Sequence, residues 1–244
     1  QFIRDKNVRA IFALRGGYGT PRILDKIDYR ALRAHPKIIS GFSDITALQL
    51  AIFRKCKLVT FSGAMPAVEF WKESAQFTEE NFWRQITSRT RAGLLPLEEG
   101  KAIQCIQPGR AEGILLGGNL SLLVSNLGTP YWPSTKGAIL VVEEVEEAPY
   151  RVDRMFSQLR NSGVLHQLSG LACGQFTRCE AKDPQKPNLT VEEILRDYAE
   201  YVKGPVLTNF PYGHVPVKWT LPFGVKARLG GKKPGLELLE SGVS

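Results

Sequence analysis

Three residues whose types match a hydrolytic triad follow predicted strand ends: Ser43, Glu143 and His214. A serine hydroxyl is a weak nucleophile at neutral pH, and an imidazole that removes its proton activates it. A carboxylate at the other ring nitrogen fixes the tautomer and stabilises the imidazolium that forms. These residue types therefore predict acyl-transfer chemistry, provided that the fold brings them together.

Ser43 lies at a predicted strand-to-helix turn, between a buried strand that ends at Ile39 and an apolar-periodic run that begins at Ile45. A serine at such a turn can cap the helix by accepting a backbone N–H of the first turn. It can also present its hydroxyl at the carboxyl edge of a sheet, where free N–H groups stabilise an oxyanion. Taken alone, the serine is more typical of a cap, so its assignment depends on the rest of the chain.

The histidine partner follows by elimination, since the chain has only three histidines. His35 precedes a proline at a helix end and is expected at the surface, and His166 follows the turn at Gly163 and has no polar neighbours of note. His214 follows a strand end and a glycine in a loop, which is where catalytic groups lie on doubly wound sheets. His214 is therefore the base to test with Ser43.

The carboxylate comes from an acidic cluster after the apolar strand 139–142, a pattern that is usually a solvated strand end. Glu143 shares strand parity with Ile139 and Val141. If that face is buried, Glu143 is a carboxylate that needs a partner, which an imidazolium would provide. Parity does not exclude Glu144 if both faces of the sheet are covered.

A glycine-rich turn, Arg15-Gly-Gly-Tyr-Gly19, ends the first predicted strand. It lacks the G-x-G-x-x-G spacing of a dinucleotide site, and it is too short for an arginine–glycine RNA-binding segment. The pattern favours a turn whose backbone approaches a substrate or donates an N–H to an oxyanion. The chain order Ser…Glu…His matches that of α/β-hydrolases, but Gly41-Phe-Ser-Asp lacks the second glycine of G-x-S-x-G, so a different scaffold is implied.

The elements that must position these residues predict an α/β protein. Strands and helices alternate through residues 1–90, which indicates a parallel, doubly wound domain that carries the nucleophile. Residues 91–112 lose the periodicity and are predicted to be a linker or short hairpin region. Residues 113–244 predict a second, mixed α/β domain with an antiparallel end, which carries Glu143 and His214.

Composition narrows the classes of function. The 244 residues carry a formal net charge of +8, but the lysines and arginines are scattered, so we expect no nucleic-acid partner and a surface suited to an anionic substrate. No apolar run approaches the ~18 residues of a membrane span. The four cysteines form no C-x-x-C pair and have no histidine at ligand spacing, so a zinc site is not expected.

Taken in order, a set of motifs along essentially the whole chain strongly resembles the LD-carboxypeptidases, or muramoyltetrapeptide carboxypeptidases. This family of serine peptidases also includes the microcin C immunity peptidases. The motifs are Arg-Gly-Gly-Tyr-Gly (15–19), Gly-Phe-Ser-Asp-Ile-Thr (41–46), Thr-Phe-Ser-Gly-Ala-Met (60–65), Gly-Gly-Asn-Leu (117–120), Gly-Thr-Pro-Tyr-Trp-Pro (128–133), the run from Val142 to Met155, and Tyr-Gly-His (212–214).

The resemblance implies a Ser43–Glu143–His214 triad and an oxyanion hole built from backbone N–H groups. We place those donors at Asp44 and at Gly17, with Gly16 as the alternative to Gly17. It implies a Rossmann-like N-terminal domain, a C-terminal domain of its own, and an active site between them. Family members have a further strand–helix unit before the glycine-rich turn, and we expect this unit to be missing here, which would leave a sheet edge bare.

The implied reaction releases the terminal D-alanine across the L,D-bond of a murein tetrapeptide in the cytoplasm, as part of peptidoglycan recycling, by an enzyme that we expect to be a homodimer. The resemblance implies that no metal is needed, and we expect no cofactor. Two alternatives stay open. One keeps the triad and changes the substrate to a microcin-like peptidyl nucleotide, with Trp132 or Tyr150 stacking on the base. The other is a non-catalytic glycopeptide-binding or nucleic-acid-binding fragment in which Ser43 is only a helix cap.

Overall fold

The computed structural model of the chain describes residues 1–71, 74–183, 185 and 187–244. The strands are β1 (Ala10–Phe12), β2 (Ile38–Ser40), β3 (Thr60–Ser62), β4 (Gly93–Leu94), β5 (Gln104–Gln107), β6 (Arg110–Asn119), β7 (Ile139–Val145), β8 (Gly170–Thr177), β9 (Val206–Thr208), β10 (Leu221–Phe223), β11 (Lys226–Gly230) and β12 (Leu236–Leu238). The α-helices are α1 (Tyr29–Ala34), α2 (Thr46–Cys56), α3 (Gln76–Thr87), α4 (Leu120–Ser125), α5 (Pro149–Asn161), α6 (Val164–Gln167) and α7 (Val191–Ala199), with 3₁₀ turns at Thr20–Lys26 and Ser43–Ile45.

The strands form two sheets, and the expected mixed α/β class is confirmed. The smaller sheet has the order β1-β2-β3-β10, in which the first three strands are parallel. Its fourth strand, β10, comes from the C-terminal half of the chain and pairs antiparallel with β3. The two halves of the sequence therefore share a sheet, which joins the strands that carry Ser43 to the segment that follows His214.

The larger sheet has the order β4-β12-β11-β6-β7-β8-β9-β5. Its centre, from β6 to β9, is parallel, and the flanking pairs are antiparallel. The segment from 91 to 112, predicted as a linker or hairpin region, contains both edge strands, β4 and β5, and the start of β6. The chain pairs there with β12 and β9, and such long-range pairing leaves no periodic signal in the local sequence. The domain boundary itself stays a prediction.

Apolar side chains cover both faces of the larger sheet. One face packs on α4, α5 and α7 through residues such as Phe156, Leu159 and Ile194. The other face packs on a cluster that includes Trp219 and Phe223, which are 0% and 2% exposed. Since both faces are covered, β7 is buried from Ile139 to Glu144, and strand parity alone cannot tell which of its acidic residues faces a partner.

Two predicted helical regions, 68–90 and the segment that begins at Thr190, contain α3 and α7. The segment 68–90, predicted as one or two helices, contains α3, and its residues 72 and 73 lie outside the described part of the chain. The predicted capping box of α7 is present, since Thr190 and Glu193 exchange hydrogen bonds. Over the described ranges, no helix is long and apolar enough to cross a membrane.

Candidate active site

Ser43 lies on the turn between β2 and α2, and its backbone is in the left-handed region at φ 63°. This conformation is uncommon for a residue other than glycine and is a typical form of strain at functional sites. The preceding Gly41 fits only without a side chain, because a Cβ there would lie 2.8 Å from the Cβ of Ala13. The turn therefore holds the serine hydroxyl outward from the carboxyl end of the sheet.

The helix-cap interpretation of Ser43 is wrong. Neither the 3₁₀ turn at Ser43–Ile45 nor α2 receives a hydrogen bond from a capping side chain. The hydroxyl Oγ instead lies 3.0 Å from Nε2 of His214, a residue 171 positions away. The serine is thus paired with a base rather than with its own helix.

His214 stands on a loop that presses closely on β7. Gly213 has φ +123°, and a Cβ at that position would lie 2.9 Å from Oε2 of Glu143, so only glycine allows this approach. The carbonyl of His214 accepts a hydrogen bond of 3.2 Å from the Thr177 hydroxyl at the end of β8. These contacts place the imidazole, 21% exposed, between the serine and the buried carboxylate.

Glu143 completes the constellation. Its Oε2 lies 2.7 Å from Nδ1 of His214, and its side chain is only 1% exposed. An ionised carboxylate accepts hydrogen bonds and cannot donate them, so Nδ1 carries the proton and Nε2 accepts the hydrogen bond of the Ser43 hydroxyl. This arrangement can move a proton from Ser43 to His214 and stabilise the resulting imidazolium.

Glu144, the alternative that strand parity left open, turns away from the imidazole. Its Oε1 accepts hydrogen bonds from Asn119 Nδ2 (2.8 Å) and its neighbour's N–H, and its Oε2 accepts from the N–H (2.8 Å) and hydroxyl (2.6 Å) of Ser121. Burial raises the pKa of Glu144, and these hydrogen bonds oppose the rise. Adjacent residues of a strand point to opposite faces, so Glu144 lies on the face of Leu140 and Val142, and Glu143 lies on the face of Ile139 and Val141.

The glycine-rich turn lies against the nucleophile. A Cβ at Gly16 would lie 2.9 Å from the Cβ of Ser43 and 3.1 Å from its Oγ. The buried carboxylate of Asp44 accepts a 2.8 Å hydrogen bond from the N–H of Thr20, which ties the two turns together. Within the described part of the chain, the N–H groups of Gly17 and Asp44 have no protein acceptor. Asp44 directly follows Ser43, and Gly17 directly follows Gly16, so both N–H groups remain candidates for oxyanion donors.

Sequence reasoning missed three side chains around this site. Phe42, next to the serine, packs its ring 5.0 Å from that of His214, and the ammonium of Lys218 lies 4.0 Å from the centroid of the Phe42 ring. Lys218 pairs with Glu69, from the segment after β3, at 2.6 Å. The partners of this ion pair are 149 positions apart, so no local pattern could have linked them.

Of the remaining candidates, His35 and His166 lie outside the constellation, and His166 packs against Tyr201. No group of three or more His, Cys, Asp or Glu side chains in the described ranges could hold a metal ion. Trp132 packs against the core on one side, whereas Tyr150 is 54% exposed at the start of α5. Of the two aromatic residues considered for stacking, Tyr150 thus has the more exposed side chain.

Comparison with known proteins identifies relatives of this chain. Residues 1–63 match the family model of the LD-carboxypeptidase N-terminal domain, and residues 112–229 match that of its C-terminal domain. The chain is 36% identical to the probable murein peptide carboxypeptidase of Bacillus subtilis over all of its 244 residues, which span 75% of that relative. It is 31% identical to the murein tetrapeptide carboxypeptidase of Pseudomonas aeruginosa over 93% of this chain and 74% of the relative.

Solved structures give the same relationship. The muramoyltetrapeptide carboxypeptidase of Oxalobacter formigenes superposes with a TM-score of 0.84 at 33% identity, over 97% of this chain and 80% of that one. The microcin C7 self-immunity protein MccF, whose curated sequence is from Escherichia coli, superposes with a TM-score of 0.88 at 26% identity. The superposition covers 100% of this chain and 79% of the MccF chain. The resemblance read from the motifs is confirmed, and the chain belongs to the LD-carboxypeptidase family of peptidases.

Proposed function

We propose that this protein is a serine carboxypeptidase that hydrolyses the L,D-peptide bond before the terminal D-alanine of murein tetrapeptide. The observation that carries the proposal is the continuous hydrogen-bonded series from Ser43 through His214 to Glu143. The murein-peptide names of the relatives from Bacillus subtilis and Pseudomonas aeruginosa support the substrate. A role in peptidoglycan recycling inside the cytoplasm follows from that substrate and belongs to the same proposal, as does a homodimer.

In the proposed mechanism, His214 takes the proton of Ser43 as the hydroxyl attacks the scissile carbonyl carbon. The carbonyl oxygen becomes an oxyanion, which the N–H groups of Gly17 and Asp44 bind. His214 then donates its proton to the amine of the leaving D-alanine, and the acyl-enzyme remains. Water, deprotonated by His214, releases the tripeptide and restores Ser43. Glu143 holds the imidazole tautomer and stabilises its cation throughout.

The direct test is the Ser43→Ala variant, assayed with murein tetrapeptide by mass spectrometry. We expect the wild-type protein to release one D-alanine and leave the tripeptide, and the variant to fall to the background rate while its circular dichroism spectrum stays unchanged. A fluorophosphonate should label wild-type Ser43 and not the variant. A folded variant that keeps full activity would exclude Ser43 as the nucleophile. A wild-type protein that is neither labelled nor active would favour the glycopeptide-binding alternative.

A second candidate substrate class is a peptidyl nucleotide, because the chain superposes over its whole length on MccF. One MccF structure is a complex with aspartyl sulfamoyl adenosine. In this chain, Tyr150 lies at an exposed helix start with the guanidinium groups of Arg151 and Arg154 over its ring, at 5.8 Å and 5.4 Å from the centroid. An aromatic face flanked by cations suits a base and a negatively charged linker. Turnover of aminoacyl sulfamoyl adenosine, lost in Tyr150→Ala while tetrapeptide cleavage persists, would support this candidate.

A further inference from the structure

An ion pair is buried beside the proposed triad. Lys218 Nζ lies 2.6 Å from Oε1 of Glu69, and the two side chains are 3% and 8% exposed. The second carboxylate oxygen of Glu69 accepts a 2.7 Å hydrogen bond from the N–H of Met65. Burial lowers the pKa of Lys218, and the Glu69 carboxylate opposes this change. Because the desolvation of both charges offsets much of their attraction, stability alone does not account for such a pair.

The location of the ion pair suggests what it does. The Lys218 ammonium lies 4.0 Å from the centroid of the Phe42 ring, a cation–π distance. The Phe42 ring also packs against the His214 imidazole: the ring centroids lie 5.0 Å apart, and the ring planes are tilted by 60°. Phe42 is 4% exposed and directly precedes Ser43. The cation therefore contacts an aromatic ring that packs against His214 and directly precedes Ser43.

The same ion pair joins the two segments that the reaction must align. Glu69 belongs to the segment that follows β3 of the smaller sheet, and Lys218 lies four residues beyond His214. The N–H of Lys218 also donates to the hydroxyl of Thr78 on α3 at 3.0 Å, and this hydroxyl donates to the carbonyl of Pro216 at 2.8 Å. The loop that carries His214 is thus fixed to the N-terminal half at two points.

We propose that the Lys218–Glu69 ion pair is a positioning device for catalysis: it presses Phe42 against His214 and so holds the imidazole Nε2 within hydrogen-bond distance of Ser43. This inference rests on the proposed serine-peptidase function. Neither member of the pair touches the substrate, and both act through Phe42. Loss of the pair frees the Phe42 ring and the loop that carries His214, and an imidazole displaced by about 1 Å can cost on the order of 10²-fold in rate.

The test is the double variant Lys218→Met with Glu69→Gln, which keeps both stems and removes both charges together. We expect kcat to fall at least about tenfold, within the range that misplaced catalytic groups show, with KM unchanged. The rate of fluorophosphonate labelling at Ser43 should fall by the same factor. The denaturation midpoint should stay close to that of the wild type, because neutral replacement of a whole buried pair is often tolerated. A control, Arg228→Met with Glu237→Gln, removes the partly exposed 2.6 Å ion pair between β11 and β12, together with the 2.7 Å contact of Arg228 with Glu112, and should leave kcat unchanged.

A folded double variant with wild-type kcat and labelling rate would overturn the positioning role. If the double variant does not fold, Phe42→Leu tests the same positioning role, because it keeps an apolar side chain and removes the ring. This variant should also lower kcat and leave KM unchanged. Wild-type kcat in Phe42→Leu would overturn the proposal as well. Absence of activity and of Ser43 labelling in the wild-type protein would instead refute the proposed function, so the two failures are distinguishable.

Discussion

His214 Nδ1 and Glu143 Oε2 lie 2.7 Å apart, and the second oxygen of this carboxylate, Oε1, is buried without a hydrogen-bond partner among the described residues. The imidazole is thus the one polar side chain, in this part of the structure, to which Glu143 is bonded. A buried carboxylate with an unused oxygen is costly, and it gains most when its partner is a cation. The pair therefore suits the role proposed for Glu143, which is to stabilise positive charge on His214 during acyl transfer.

This relationship predicts that Glu143→Gln impairs turnover far more than binding. The amide can donate a proton to Nδ1, which selects the wrong imidazole tautomer. A serine-peptidase triad loses about 10⁴-fold in kcat from the equivalent change of acid to amide. Steady-state kinetics with tetrapeptide measure the loss, and KM should change little. The control is Glu146→Gln, the same change at a nearby glutamate, which is exposed and pairs with the exposed Arg178. A similar loss of kcat in that variant would argue against a specific role for Glu143.

The sequence predicts the triad because each member leaves a local trace. Ser43 follows a glycine at a strand-to-helix turn, His214 is the one histidine in a loop past a strand end, and Glu143 follows an apolar strand. Parity could not separate Glu143 from Glu144, because both faces of β7 are buried. Helix capping, the more typical role of such a serine, gave way to a tertiary hydrogen bond.

The rest of the site depends on contacts between distant parts of the chain. β10 pairs with β3 across most of the sequence, and Lys218 meets Glu69 only because of that pairing. Likewise, the segment 91–112 forms edge strands through partners far away in sequence, while its own residues show the glycines and prolines typical of a linker. Local periodicity reports the burial of one face of an element and carries no information about which other element covers it.

The approach of Gly16 to the nucleophile gives a second prediction. Gly16→Ala introduces a Cβ 2.9 Å from the Cβ of Ser43, a distance that requires one of the two turns to shift. We expect a fall of about 10²-fold in kcat, because a small displacement of the hydroxyl weakens its hydrogen bond to His214. Gly128→Ala serves as the control: that glycine has φ +74° and open space around it, so the change adds backbone strain without a contact. Gly16 does not have a φ in the left-handed region, so Gly16→Ala acts through its contact with Ser43, and equal losses in the two variants would show that this contact is not the specific cause.

Glu144 gives a prediction about stability and its pH dependence. Its two oxygens accept four hydrogen bonds, and Glu144→Gln places an NH₂ group against donors. We expect the variant to lose about 1–3 kcal/mol of unfolding free energy, since buried donors are left unpaired. The pKa of Glu144 is raised in the folded state above its ordinary value of 4.5, so the unfolded chain loses this proton at a lower pH than the folded chain does. As pH rises above 4.5, this group therefore lowers the free energy of unfolding of the wild type.

The two effects of Glu144 are separable by measurement. Urea unfolding should be measured for the wild type and for Glu144→Gln at several pH values. We expect the wild type to have the larger free energy of unfolding at low pH, and the difference between the two proteins to shrink as pH rises through the raised pKa of Glu144. The narrowing follows because the glutamine cannot ionise. A gap that widens with pH would mean that the four hydrogen bonds outweigh burial and that the folded carboxyl has a lowered pKa.

The four cysteines provide the last prediction. Burial raises the pKa of Cys56 and Cys173 and raises the pKa of Cys179 to about 11, whereas Cys105 is exposed on the edge strand β5. Because the thiolate is the reactive form, an aromatic disulfide reagent at pH 8 should titrate one thiol rapidly in the folded protein and all four in denaturant. Cys105→Ser should remove the fast phase and leave tetrapeptide cleavage intact, since Cys105 lies outside the constellation around Ser43. A fast phase that persists in this variant would show that the packing around one of the buried thiols opens readily.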